Sequence, residues 1–134
     1  MFDIRRLAVA ETLTFQLVDA SDTPIFMADN KPATVTIHGP GSKRYAQAQA
    51  ARQTKAFARM QSGREVKINA DEQSRTAAEF LASITDNIDL EYGDFTGREK
   101  MLAIYGDTSI GFIAEQVTKK AGDWANFSQG SAKS

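Results

Sequence analysis

At Gly39-Pro40-Gly41 the chain changes period. Before that tripeptide, apolar residues alternate with polar ones; after it, they recur three and four residues apart. No single kind of element satisfies both spacings. Strands must come first and helices afterwards, which predicts an α+β fold with a small N-terminal antiparallel sheet packed against about four helices. Leu13, Phe15 and Leu17 alternate with Thr12, Thr14 and Gln16, the pattern of a half-buried strand. Asp19 to Pro24 is turn chemistry, since these side chains bond their own backbone and Pro24 fixes φ. Ile25 to Ala28 is expected as a short return strand. Asp29 to Pro32 makes a second turn, and Val35 and Ile37 then alternate with Thr34, Thr36 and His38. Residues 1–11 fit either an extra strand or an arm.

Ser42 is a good N-cap for a helix from about Lys43 to Gln61. Ala46, Ala50, Gln53, Phe57 and Met60 share one stripe of it and are assigned inward; Arg44, Arg52, Lys55 and Arg59 take the opposite, exposed side. Ser62-Gly63 ends the helix, and Val66 and Ile68 suggest one extended turn. Asn69 and Glu72 have capping-box spacing before a helix over about 70–87, with Ala77, Phe80, Leu81, Ile84 and Ile88 on one face. Thr96-Gly97-Arg98-Glu99 is a second capping box, opening a short helix closed by Gly106. Asp107, Thr108 or Ser109 caps a last helix, with Ile110, Ile113 and Val117 inward and Gly122 at its end. Trp124 and Phe127 follow on a short segment. The expected layout is one domain over residues 1–127 and a loose tail over 128–134.

Charge is sorted along the chain. Lys31, Lys43, Arg44, Arg52, Lys55, Arg59 and Arg64 occupy a stretch from Asn30 to Arg64 that holds no carboxylate. From Glu65 to Glu99 acids dominate: Glu65, Asp71, Glu72, Glu79, Asp86, Asp89, Glu91, Asp94 and Glu99 against Lys67, Arg75 and Arg98. The net charge is only −1. Opposite patches on one small body favour association with another copy or an acidic partner. The plain alternative is a solvated helix surface. Nucleic acid ranks below protein as a partner, because the chain is not basic overall and shows no base-reading motif.

The chemistry on offer is thin. With no cysteine, disulfides, thiolate metal sites and cysteine nucleophiles are excluded. The first residues lack a signal-peptide core, and no apolar run approaches the ~18–20 residues a membrane span needs, so a soluble intracellular protein is expected. Gly39-Pro40-Gly41-Ser42-Lys43 joins a strand to a helix and invites comparison with a phosphate loop, but it lacks the G-x-x-x-x-G-K-[ST] spacing and reads as a turn plus cap. His38 is the single histidine, without a second ligand nearby in sequence. Asp86, Asp89, Glu91 and Asp94 do not follow the calcium-loop order and read as a solvated loop. Neither G-x-S-x-G nor H-E-x-x-H occurs. The reading is therefore non-enzymatic, with no catalytic residues, no cofactor and no metal.

The segment Pro24-Ile25-Phe26-Met27-Ala28, then Ala33-Thr34-Val35-Thr36-Ile37-His38-Gly39-Pro40-Gly41-Ser42-Lys43-Arg44-Tyr45, resembles the N-terminal signature of tail assembly chaperones of long-tailed bacteriophages. Those proteins tend to show a polar turn, V-x-I-x-G-P-x-S, and a helix rich in Lys, Arg, Tyr, Ala and Gln. Residues carry the resemblance over about 24–58; beyond that only the layout does, and Tyr92 stands where a tryptophan is often found. The resemblance implies a protein that binds the tape measure protein and tail tube subunits during assembly in the host bacterial cytoplasm, and is absent from the mature virion. Apart from the resemblance, the opposite charge faces lead to the expectation of a homo-oligomer, and neither nucleic acid nor membrane is expected as a partner. The alternatives are a small structural or connector protein of a phage particle and, third, a nucleic-acid-binding module. The candidate partner or self-association surface comprises Arg44, Arg52, Lys55, Arg59, Trp124 and Phe127.

Overall fold

The computed structural model describes residues 3–61 and 70–128; the side chains of 59–61 and 70–72 lie outside that description, as do the expected extended turn at Val66 and Ile68 and the Asn69–Glu72 capping box. The fold is α+β: a three-stranded antiparallel sheet in the order β1-β2-β3, and four α-helices. The elements are β1 Thr12–Gln16, β2 Thr34–His38, α1 Lys43–Gln61, α2 Ala70–Ile84, β3 Thr85–Ile88, α3 Gly97–Gly106 and α4 Gly111–Ala121. Short 3₁₀ turns occupy Ile4–Leu7, Thr108–Ile110 and Trp124–Phe127. Residues 4–7 are thus a turn, capped by Asp3, rather than an added strand.

Alternation sets the faces of the sheet. Leu13 pairs with Ile37 and Phe15 with Val35, so the apolar residues of β1 and β2 share the inner face. Thr12, Thr14, Thr36 and His38 take the outer face, where the Thr14 and Thr36 hydroxyls bond at 2.7 Å. The return strand expected over Ile25–Ala28 does not form. Leu17 N–H donates to Ala33 O (2.9 Å), Ala33 N–H to Ile25 O (3.0 Å) and Ile25 N–H to Leu17 O (2.9 Å), closing a ring of three. Only the isolated bridges Val18–Pro24 and Phe26–Pro32 accompany it. Each has a proline on one side, which lacks the N–H that a ladder needs to continue.

The helix expected over 70–87 ends at Ile84, and its last residues become β3. The outer edge of β2 recruits them: Val35 pairs with Ile88 and Ile37 with Thr85, with a register shift that leaves Asp86 bulged. At the expected capping box, Thr96 occupies the N-cap position but its side chain makes no capping bond. Gly97 is left-handed (φ 58°), which turns the first helical N–H groups away from the threonine. Asp107 instead caps the turn Thr108–Ile110, accepting from Ser109 N–H at 2.9 Å, and that turn leads into α4.

Helix α4 lays Ile113, Val117 and Ala121 toward the sheet; α2 adds Ala78, Leu81, Ala82 and Ile84, and α3 adds Ile104 and Tyr105. Ala77, assigned inward from the sequence, is exposed. Burial pushes the Tyr105 hydroxyl up to about 12, while its 2.6 Å bond with Thr85 Oγ1 pulls the other way. Gln116 on α4 ties the first turn region to the helical layer. Its Oε1 accepts from Val18 N–H at 2.8 Å and its Nε2 donates to Val18 O at 2.7 Å. Among the described residues no helix is long and apolar enough to cross a membrane.

Candidate interaction surface

Helix α1 begins where Ser42 Oγ accepts from Tyr45 N–H (3.1 Å) and donates to Gly39 O (2.7 Å). The Gly-Pro-Gly junction ahead of it is filled. A Cβ on Gly39 would stand 2.7 Å from Phe127 Cγ, and one on Gly41 2.7 Å from Val9 Cγ2 and 3.5 Å from Trp124 Cζ3. The junction is a turn plus cap with side chains packed against it, and the first-turn amide of Tyr45 is already engaged.

The face that α1 turns toward α2 is not the apolar stripe read from its sequence. Tyr45 meets the edge of Phe80 on α2 (ring centroids 5.5 Å apart), Ala48 is buried, and the Arg52 guanidinium lies 4.1 Å from the Phe80 centroid. Arg52 also donates to Gln49 Oε1 at 2.6 Å. Lys55 pairs with Glu79, and Arg44 Nε donates to Ser83 O at 2.9 Å. Three of the four cations expected on a free outer face thus line the α1–α2 seam. Long cationic side chains can do this because their stems cover apolar surface while the charge stays wet. The side chain of Arg59 lies outside the described residues. Lys55 and Glu79 belong to the opposite charge blocks, so part of the sorted charge is paired within the molecule.

Ala46, Ala50, Gln53 and Phe57 consequently face solvent. Phe57 is 60% exposed, and every residue from Ala51 to Ala58 is exposed. Among the described residues an apolar stripe thus runs along the outer side of α1, opposite the seam with α2. The paired aromatics of the C-terminal segment separate. Trp124 is 57% exposed and borders the start of α1 at Gly41. Phe127 is 0% exposed and joins the core, so it leaves the candidate surface. Its ring fills the space that Gly39 leaves open, and its carbonyl accepts from Ala10 N–H at 2.6 Å.

The titratable features make no converging set. His38 Nε2 lies 3.9 Å from Asp86 Oδ1, a neighbour created by the bulge in β3 and invisible in sequence spacing. Asp89 accepts from Asn87 and from Thr34, each at 2.9 Å, and these two bonds hold its carboxyl below the ordinary carboxylate value. Asp107 is lowered by bonds from Ser109 and Tyr92. Among the described residues, no three His, Asp or Glu side chains gather to hold a metal ion. No protein-family model, no curated protein and no solved structure matches the chain. The functional reading therefore stands on the surface itself and on the resemblance carried by residues 24–58.

Proposed function

We propose that this protein is a non-enzymatic tail assembly chaperone of a long-tailed bacteriophage, acting in the host bacterial cytoplasm and absent from the finished virion. The observation that carries the reading is the stripe of Ala46, Ala50 and Phe57, exposed among the described residues on the side of α1 that faces away from α2. A tape measure protein is long and apolar, and it needs its hydrophobic faces covered until tail tube subunits arrive. A small-residue stripe ending in one exposed phenylalanine suits an amphipathic helix laid alongside it, with the larger ring as anchor. The same helix lies in the stretch that resembles the chaperone family. Trp124, exposed at the opposite end of α1, extends the contact. Association of several copies on one tape measure protein follows from the length of that partner.

Co-expression with the tape measure protein of the same phage tests the reading. Ala50→Glu with Phe57→Glu alters exposed positions and leaves the fold intact. The double variant is expected to remain cooperative in thermal unfolding and to lose the tape measure protein on co-purification. Retention of a soluble tape measure complex by this folded variant refutes the proposal.

A further inference from the structure

The two edges of the sheet are defended very differently. At the β3 edge the register shifts, Asp86 bulges out, and Lys100 Nζ donates to Ile88 O at 3.0 Å. Bulges and charges of this kind keep an edge from pairing with another strand. The β1 edge has none of them. Thr12-Leu13-Thr14-Phe15-Gln16 contains no charge, no proline and no register shift. The Lys120 ammonium, 5.6 Å from the Phe15 centroid, belongs to a different element.

The open part of this edge has definite limits. Gly39 N–H bonds Glu11 O at 2.7 Å and Leu17 N–H bonds Ala33 O at 2.9 Å. In an antiparallel ladder hydrogen-bonded pairs alternate, so Leu13 and Phe15 direct their backbone groups at β2. Thr12, Thr14 and Gln16 turn theirs outward. The next outward groups on either side are already capped. Ala10 N–H is taken by Phe127 O, and Val18 is held at both N–H and C=O by the Gln116 amide. Among the described residues no bond is made to the outward backbone of the three positions between those caps. The window is centred on Thr14.

We propose that β1 pairs antiparallel with β1 of a second copy about a twofold axis at Thr14, joining two three-stranded sheets into one of six strands. Only this register brings cap against cap and uses the whole open window. Thr14 meets Thr14 of the second copy, and Thr12 meets Gln16, as hydrogen-bonded pairs. Leu13 lies opposite Phe15 of the second copy, closing two half-buried apolar side chains against each other on the inner face. The contact is isologous and therefore closes at two copies. It uses neither the outer stripe of α1 nor the charged seam, and it does not rest on the chaperone reading.

Sedimentation of the full chain tests this. A monomer–dimer equilibrium is expected whose constant changes less than about threefold between about 0.05 and 0.5 M salt, because no ion pair is formed. Thr14→Lys places like charges opposite one another and should weaken dimerisation at least about tenfold while the monomer still unfolds cooperatively, losing only the exposed hydroxyl bond to Thr36. The chain has no cysteine, so Thr14→Cys introduces a single thiol. The facing Cα atoms of a hydrogen-bonded pair stand about 5.5 Å apart, within disulfide reach. Mild oxidation should then cross-link that variant far faster than Gln47→Cys, an exposed control. A protein that stays monomeric at about millimolar concentration, with no preferential cross-link at position 14, overturns the proposal. So does a dimer that Thr14→Lys leaves unchanged, or one that salt dissolves steeply, which would assign it to the charged faces instead.

Discussion

Truncating Phe127 to alanine is the most demanding test of the packing described above. The residue lies within a single 3₁₀ turn near the end of the described chain, a place where truncations are usually harmless. Yet its ring is fully buried and heads the largest side chains of the core. Burying roughly 150 Å² of ring at about 25 cal/mol/Å² contributes about 4 kcal/mol, and the cavity left behind keeps the cost of Phe127→Ala within about 3–5 kcal/mol. For a domain stable by about 5–15 kcal/mol that loss moves the urea midpoint by about 2 M at a slope of about 2 kcal/mol/M. Gly39 supplies an internal control. Its φ is not in the left-handed region, so the glycine is needed for space alone. Gly39→Ala should cost about 1–3 kcal/mol by forcing a methyl group into the Phe127 ring. In the Phe127→Ala background the methyl finds room, and the same change should become neutral or stabilising, since alanine lowers the entropy of the unfolded chain. The double-mutant cycle is thus expected to show at least about 1 kcal/mol of coupling. Additive effects, or a Phe127→Ala cost below about 1 kcal/mol, refute the account of how the C-terminal turn seals the core. Trp124→Ala, by contrast, should cost less than about 1 kcal/mol, because the indole is mostly exposed.

Two further outcomes follow from buried hydrogen bonds. Gln116→Ala removes both bonds to Val18 and leaves a part-buried N–H and C=O without a protein partner; a loss of about 1–3 kcal/mol is expected, with faster hydrogen exchange at the Val18 amide. Tyr105 should destabilise the protein in alkali. Its folded pKa of about 12 lies above the ordinary value of 10.0, so the folded state favours the neutral phenol; that contribution is complete below pH 10 and is lost as pH rises through about 12. Tyr105→Phe should flatten this alkaline limb in a urea series run at several pH values, and an unchanged limb refutes the assignment.

Much of the fold was legible in residue order. Alternation in 12–17 and 34–38 marked β1 and β2, because one face of each is buried and the period of a strand is two. Gly39-Pro40-Gly41-Ser42 marked the start of α1, because only one residue is needed to cap its first turn. These are local effects, decided by neighbours along the chain. Tertiary structure decided the rest. From Ile84 to Ile88 the only apolar residues are the two ends, the spacing of one more helical turn, yet Thr85 to Ile88 becomes a strand because β2 has an open edge beside it. Ile25 to Ala28 reads as a strand and fails to become one because Phe26 bridges to Pro32 and the bridge just before it, to Val18, is made by Pro24; neither proline has an N–H to extend a ladder. The face of α1 that turns inward was read backwards. Apolar periodicity favours Ala46, Ala50 and Phe57, but alanine offers little area to bury, whereas Tyr45 and Arg52 have the Phe80 ring to pack on. Trp124 and Phe127, three apart and alike in chemistry, part company for the same kind of reason: the cavity beside Gly39 admits one ring, and the direction of the last turn decides which.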